Sequence, residues 1–193
     1  GRVDLAYMKR LNAKGGINGR TVKLLSLDDG FSPPKAVERV RELVESEKVL
    51  GLFGSVGTVP NVAVAKYLNQ KKVPHLVISS AAGVFANPST YPWSTAFYML
   101  QPTEATLLAR YILSSKPDAK IGILYQNDEY GKGYLKPFRD ALGDKADKMI
   151  VKESSYDVTD PTVDSQIIEL KSSGADTLLN VSTAKFGAQA IRK

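Results

Sequence analysis

The sequence predicts an α/β fold with two lobes, each a parallel sheet flanked by helices. Short apolar segments typical of strands alternate with segments of helical periodicity along almost the whole chain. An irregular stretch from Gly83 to Gln101 interrupts this alternation once, and the same pattern then restarts. Strands separated by helices of ~10–15 residues form parallel βαβ units. The interruption divides these units into a first lobe, 1–101, and a second lobe, 102–193.

The first lobe opens on a helix, predicted over residues 3–14, which Gly15 and Gly16 end. Ser32 and Pro33 mark the start of another helix, because a hydroxyl can cap it and Pro suits a position whose amide has no partner. Three apolar strands and two helices are predicted to follow the first helix: strands over 22–27, 49–53 and 75–79, and helices over 33–47 and 59–71. We also expect one short strand near 97–100.

The second lobe repeats the alternation of strands and helices, and the residues that start and end its helices are easier to identify. Thr103 can cap a helix whose apolar residues recur three and four apart. Asp160 and Pro161 are predicted to open a later helix, which Gly174 closes. The remaining elements are three strands, a helix between the first two and a helix at the end: strands over 121–125, 149–156 and 177–181, and helices over 130–142 and from 184.

The order of elements predicts that this chain is part of a protein roughly twice as long. In a doubly wound sheet the first strand is usually central. Here the chain begins with a helix, so the predicted strands at 22–27 and 49–53 have no strand to lie between them. We therefore expect that an N-terminal strand is missing from the first lobe. The second lobe, with only three strands, also looks incomplete at Lys193.

Composition disfavours several functional classes. The net charge is +6, but Lys and Arg are scattered singly and alternate with Glu, as on a solvated helix face rather than a nucleic-acid surface. The absence of Cys and the single His leave too few ligands for a His/Cys metal site. No apolar run reaches the ~18–20 residues of a membrane span. We expect no nucleic-acid partner and no cofactor.

The carboxyl ends of the predicted strands select candidate site residues, because parallel sheets bind ligands there. Residues 54–58 (Gly-Ser-Val-Gly-Thr) lead from a strand into a helix, whose free N–H groups and partial positive charge favour a carboxylate. The hydroxyls of Ser55 and Thr58 would add donors. Each hydroxyl can instead serve only as a helix cap.

Later strand ends carry further candidates, including Gln126 with Asn127 and Ser182 with Thr183. Residues 79–83 (Ser-Ser-Ala-Ala-Gly) are small and expose backbone N–H and C=O groups, which suits a ligand with both charges. The alternative is a tight loop packed on its neighbours. Tyr130 lies at the start of a predicted helix. It either faces a ligand-binding cleft between the lobes or covers the helix cap as a surface aromatic.

The polar residues elsewhere give little support for catalysis. Asp28 and Asp29 point to opposite faces of an extended segment, so we interpret them as loop caps or salt-bridge partners. His75 begins a buried strand, where a structural role is favoured over a base. No nucleophile–base pair and no serine nucleophile elbow is evident. The chain is therefore predicted not to be an enzyme.

The ordered motifs resemble the type I periplasmic binding proteins, specifically the Leu/Ile/Val-binding protein family. The resemblance covers almost the whole chain, and the series is far more specific than any one motif. The matching segments are 12–20 (Asn-Ala-Lys-Gly-Gly-Ile-Asn-Gly-Arg), 28–29, 32–37, 51–58, 73–74, 78–82, 128–133, Tyr156 with Asp160, and 171–176.

This resemblance implies a periplasmic solute receptor for an ABC importer, whose lobes close on a small-molecule ligand and dock on a membrane permease. A signal peptide would precede this chain. The family's ligand carboxylate is held by a serine matching Ser55 and by a loop matching Ala81, Ala82 and Gly83, and a tyrosine matching Tyr130 closes over it. We expect hinge closure near Gln101 and Pro102.

Three departures from the family leave the ligand open. Amino-acid binders carry a threonine where Gly83 stands, and a second binding tyrosine falls near Thr183, where Phe186 is the nearby aromatic. The family acid that pairs with the ligand's amino group lies beyond Lys193. The resemblance thus implies a branched-chain or other amino acid, or a small carboxylic acid. The alternative is a ligand-sensing domain of the same fold in a regulator or receptor.

Overall fold

The computed structural model describes all residues from 1 to 193 and shows an α/β chain with two separate parallel sheets. The helices are α1 (Arg2–Ala13), α2 (Pro33–Arg41), α3 (Thr58–Lys71), α4 (Gln101–Ser115), α5 (Glu129–Leu142), α6 (Ala146–Met149), α7 (Asp164–Ser172) and α8 (Ala184–Arg192). The strands are β1 (Leu52–Phe53), β2 (His75–Ile78), β3 (Ser94–Ala96), β4 (Ile121–Gln126), β5 (Ile150–Tyr156) and β6 (Thr177–Val181). None of the helices has the length and apolar character needed to cross a membrane.

The first sheet has the order β1-β2-β3, and all its strands are parallel. Its ladder continues beyond β1, because Gly57 donates its backbone N–H to the carbonyl of Ser79 over 3.1 Å. Helices α2 and α3 pack on this sheet through a small apolar core that includes Val40, Leu52 and Leu68. The carboxyl ends of β1 and β2 therefore lie side by side at the same edge of the first sheet.

The strand predicted over residues 22–27 is absent. This segment is extended but bonds to no neighbouring strand, and its apolar side chains are at most half-buried. The backbone N–H and C=O of Val22 are instead bonded by the side chain of Asn12, at 2.8 Å each. A strand needs a partner for its backbone groups, so an apolar pattern alone does not form one.

Several element boundaries also differ from the sequence prediction. The short strand after the irregular stretch is β3 at 94–96 rather than 97–100, because the carbonyl of Trp93 accepts the backbone N–H of His75 at 2.7 Å. A wide π-type turn over Glu42–Ser46 ends α2 early, and Ser32 makes no capping bond with its side chain. The helix expected from Asp160 begins at Asp164, since the Asp160 carboxylate accepts the N–H of Asp157 and closes a turn.

The second sheet has the order β5-β4-β6, the doubly wound arrangement in which the first strand is central. All pairings are parallel, and five of the six residues of β4 are buried. Helices α4 and α5 cover one face through a core that includes Ala109, Ile123 and Phe138. Helices α7 and α8 cover the other face around Tyr156 and Leu170. The predicted α/β class with parallel sheets flanked by helices is confirmed.

Helix α3 of the first half touches α5 of the second half, so the two sheets lie next to each other. The lobe boundary between residues 101 and 102 stays a prediction; in the structure, α4 begins at Gln101 and packs in the second core. The carboxyl ends of both sheets open toward the same space. That space contains the candidate site.

Candidate ligand-binding cleft

A cavity of about 710 Å³ lies between the two halves of the chain. One wall comes from residues that follow β1, β2 and β3, and the other from α4, the start of α5 and the carboxyl ends of β4 and β6. The lining is mostly apolar. It comprises Phe31, Val56, Gly57, Thr58, Val59, Ser79, Ser80, Ala81, Tyr98, Met99, Glu104, Leu107, Leu108, Tyr111, Gln126, Tyr130, Tyr134 and Thr183.

The first-half wall is built around the start of α3. Gly57 has φ +99°, and a Cβ there would lie 2.5 Å from a ring carbon of Phe31, so the position requires glycine. The Thr58 hydroxyl lies 2.8 Å from that of Ser80, which also accepts the N–H of Ala82 at 3.2 Å. These bonds tie the two strand-end loops into one rigid surface facing the cavity.

Ser55 points away from this surface. Its hydroxyl donates to Oδ1 of Asn61 at 2.6 Å and lies 2.7 Å from Nε2 of His75. Ser55 does not line the large cavity; it borders a smaller pocket of about 90 Å³ on the α2 side. In this conformation its hydroxyl organises the end of β1 rather than the cleft.

His75 is fully buried, and burial lowers its pKa to about 4. Because the Ser55 hydroxyl donates to Asn61, Nε2 of His75 carries the imidazole proton and donates toward Ser55 and Asn61. Its Nδ1 has no partner. The imidazole is therefore neutral, and a second proton would be buried without an acceptor.

The second-half wall is centred on the buried side chain of Gln126, at the end of β4. Its Oε1 accepts from the hydroxyls of Tyr156 and Thr183, each at 3.1 Å, and its Nε2 donates to Asp128 at 2.6 Å. The other carboxylate oxygen of Asp128 caps α5 by accepting the N–H of Tyr130 at 2.9 Å. One amide thus orients both Thr183 and the start of the helix that carries Tyr130.

Two tyrosines and an acid form the remaining polar part of this wall. The Tyr134 hydroxyl donates to Oε2 of Glu104 at 2.6 Å, and the rings of Tyr130 and Tyr134 meet edge to face at 5.8 Å. Burial raises the pKa of both tyrosines, and the Glu104 carboxylate adds to this by electrostatic repulsion of the phenolate forms. Both hydroxyls therefore remain protonated donors.

Gln101 connects the two walls. Its backbone N–H donates to the carbonyl of Ala81 at 2.8 Å, and its side-chain Nε2 donates to the carbonyl of Tyr130 at 2.9 Å. The residue is buried at the point where the chain passes from one half to the other. The loop after β2 and the start of α5 are thereby linked through one residue, by its backbone on one side and its side chain on the other.

The residues predicted from the sequence fall into two groups. Thr58, Ala81, Tyr130 and Thr183 line the large cavity, whereas Ser55, Ala82 and Gly83 do not. Ala82 packs in the core beneath the loop, and Gly83 is exposed. Whether these residues contact a ligand stays a prediction.

The strand-end rule pointed to Gln126, which lines the cavity, but sequence reasoning did not identify Glu104 or Tyr134 as cleft residues. Glu104 and Tyr134 lie within helices, and only the packing of α4 against α5 brings them together. Phe186, the aromatic near Thr183, is buried against Tyr156 with ring centroids 4.3 Å apart and does not line the cavity.

Comparison with known proteins agrees with this architecture. Residues 5–193 match the profile of a family described as periplasmic binding protein. The chain belongs to the periplasmic binding protein family. The type I two-lobed fold and the Leu/Ile/Val-binding resemblance expected from the sequence are confirmed.

Relatives of this periplasmic binding protein chain are consistently about twice its length. A Leu/Ile/Val-binding protein homolog of Brucella abortus is 27% identical over 91% of the chain, which covers 45% of that protein. A substrate-binding periplasmic protein of Ralstonia solanacearum, solved by crystallography, superposes with TM-score 0.84 at 25% identity, over 96% of this chain and 52% of that one. An ABC transporter solute-binding protein from R. palustris, solved with benzoate, superposes with TM-score 0.80 at 18% identity. The superposition covers 92% of this chain and 49% of that protein. The chain thus spans about half the length of these relatives.

Proposed function

We propose that this chain forms part of a periplasmic solute receptor of an ABC importer, which captures an amino acid or a small carboxylic acid between two closing lobes. The observation that carries the proposal is the large cavity at the carboxyl ends of the strands of both sheets. Its volume of about 710 Å³ lies within the ~300–1,000 Å³ of small-molecule sites. The names of the relatives support the same class of ligand.

The first-half wall offers a place for a ligand carboxylate. The first turn of α3 leaves the backbone N–H groups of Thr58 and Val59 without an acceptor inside the helix, and both residues line the cavity. The partial positive charge at a helix start favours an anion there. When Ser80 donates in the bond that the two hydroxyls share, the Thr58 hydroxyl is free to donate to a ligand on the same surface.

Capture by closure follows from the position of the chain crossing. Gln101 bonds to Ala81 and to Tyr130, which belong to opposite walls of the cavity. A rotation at Gln101 and Pro102 would change the separation of these walls, as in hinge closure around a ligand. A ligand that contacts both walls binds the closed form better and so stabilises it.

The arrangement of polar groups supports binding without catalysis. Ser55 and His75 are within 2.7 Å of each other, as in a nucleophile–base pair. Neither lines the cavity, and Nδ1 of His75 has no carboxylate to orient the ring. The pair is inaccessible to a substrate held in the cleft.

A thermal-shift screen of the native gene product tests the proposal. The compounds are branched-chain, polar and aromatic amino acids and aliphatic and aromatic carboxylic acids. A ligand at about 100 times its dissociation constant should stabilise the protein by about 2.7 kcal/mol. The absence of a shift with every compound would contradict the proposal. Uptake of the active compound should be lost when the gene is deleted, whereas intact uptake with a lost transcriptional response would support a sensing role instead.

A further inference from the structure

The hydrogen bonds on the second wall of the cleft have directions that are set at the start of α5. The backbone N–H groups of Tyr130 and Gly131 donate to Oδ1 of Asp128, at 2.9 and 3.3 Å. A carboxylate only accepts, so the group that lies 2.6 Å from its other oxygen is the amide nitrogen of Gln126. The orientation of the Gln126 amide is therefore fixed, and its oxygen is directed away from Asp128.

The amide oxygen of Gln126 accepts a hydrogen bond from each of two hydroxyls. Tyr156 and Thr183 both donate to Oε1, each at 3.1 Å. The two hydroxyl oxygens are 3.5 Å apart, which is farther than either lies from Oε1. The Tyr156 oxygen also accepts the backbone N–H of Thr183 at 3.0 Å. The Thr183 hydroxyl has thus committed its proton to Gln126 and retains only lone pairs for a further partner.

Thr183 is the member of this network that a solute can contact. Its side chain is half-buried and lines the cavity, whereas Tyr156 is buried in the core behind it. Gln126 borders the cavity, but it is buried and both ends of its amide are already bonded. The wall therefore presents an uncharged acceptor at Thr183. A neutral donor suits this position, because a buried cation would need an anionic partner there.

We propose that Gln126 is a positioning residue that makes Thr183 an acceptor only, so that this wall selects a solute with a hydroxyl or a carboxamide group. The inference rests on the proposed receptor function and narrows its ligand class. The selection acts between solutes of similar size and equal charge. An apolar group in the same place would leave the lone pairs of Thr183 without a partner, and a site built around a hydrogen bond rejects such a solute strongly.

The first test uses pairs of compounds that differ in one neutral donor group. Isothermal titration of the native gene product would compare threonine with valine, tyrosine with phenylalanine, 4-hydroxybenzoate with benzoate, and asparagine with leucine. In at least one pair, the compound with the donor should bind at least tenfold more tightly than its partner. Preference for the donor-free compound, or equal affinity, in every pair that binds would overturn the inference and leave the receptor function standing.

The second test assigns the preference to Thr183. Thr183→Val keeps the shape of the side chain but replaces its hydroxyl with a methyl group, and that hydroxyl makes no capping bond to α8. The variant should weaken the compound with the donor about 5- to 100-fold and leave its partner nearly unchanged. Thr183→Ser, which restores the hydroxyl, should restore the preference. An equal effect of Thr183→Val on both compounds of a pair would contradict a role for this acceptor in selection.

The third test examines the amide orientation without any ligand. Gln126→Glu places a carboxyl oxygen where the amide nitrogen lies, 2.6 Å from Asp128. Two carboxylates this close repel each other, so the folded state raises the pKa of one of them above the unfolded value of about 4. The free energy of unfolding should therefore be nearest to that of the unaltered protein at pH 5, and the deficit should grow as the pH rises to 8.

Gln70→Glu is the matched control, because it makes the same exchange at an exposed position of α3. Urea unfolding should show that its difference from the unaltered protein is the same at pH 5 and pH 8. A pH-independent effect of Gln126→Glu would contradict the amide orientation and overturn the inference. If no compound of any pair binds the unaltered protein, the receptor function fails, and the selection by Thr183 fails with it.

Discussion

Lowering the pH from 7 to 5 should destabilise the protein through a single side chain, His75. The folded state lowers its pKa to about 4 by burial, whereas an unfolded chain has the ordinary value of 6.5. Between these values the unfolded state binds a proton that the folded state does not. The contribution of neutral His75 to the free energy of unfolding is therefore fully present above pH 6.5. It falls as the pH drops toward 4 and changes no further below that pH.

The difference between 6.5 and about 4 corresponds to a loss of roughly 3 kcal/mol in the free energy of unfolding. About 2 kcal/mol of this loss is expected by pH 5, which is large against the ~5–15 kcal/mol of a typical domain. The physical reason is local: Nδ1 of His75 is buried without an acceptor, so an imidazolium would lose its hydration without compensation.

Urea unfolding at pH 7, 6 and 5, followed by circular dichroism, measures this loss. The chain contains one His, so a variant such as His75→Gln should remove most of the dependence above pH 5. If that variant does not fold, the imidazole resonance of His75 can be titrated by NMR in the unaltered protein. A resonance that titrates near 6.5 in the folded protein would refute the reasoning.

Two further predictions concern the second wall of the cleft. Gly131→Ala should lower the free energy of unfolding by about 3 kcal/mol or more, because the new Cβ would lie 1.9 Å from the carbonyl oxygen of Gln126. Gly83→Ala is the control: no atom lies within 4 Å of the added Cβ, so its free energy of unfolding, measured with urea, should fall by less than about 0.5 kcal/mol. Equal losses in the two variants would contradict the close approach of Gln126 to Gly131. Tyr156→Phe removes the hydroxyl that bonds to Gln126 and accepts the N–H of Thr183 at 3.0 Å, and should cost about 1–3 kcal/mol by thermal unfolding. An unchanged melting temperature would show that Gln126 orients the wall without Tyr156.

Local patterns predicted most of the elements because helix and strand periodicity are properties of short segments. The strand-end rule also selected Thr58, Ala81, Tyr130 and Thr183, all of which line the cavity. This success has a geometric reason, since the ends of parallel strands meet at one edge whatever the loops contain.

The remaining features depend on contacts that sequence periodicity does not contain. Residues 22–27 have a strand pattern but no strand to pair with. The direction of the Ser55 hydroxyl is set by Asn61 and His75, which come from α3 and β2. Glu104 has the pattern of an ordinary first-turn acid, and only the packing of α4 against α5 places it in the cleft beside Tyr134.

Filling the cavity without disturbing the fold tests most directly whether the cleft captures the solute. Leu107 is 50% exposed on the cavity wall and Ile168 is 67% exposed on α7 outside it, so tryptophan at either position should be tolerated. Isothermal titration of the native gene product with its best ligand should show that Leu107→Trp weakens binding at least tenfold and that Ile168→Trp does not. Equal affinities in both variants and the unaltered protein would contradict a binding site between the two sheets.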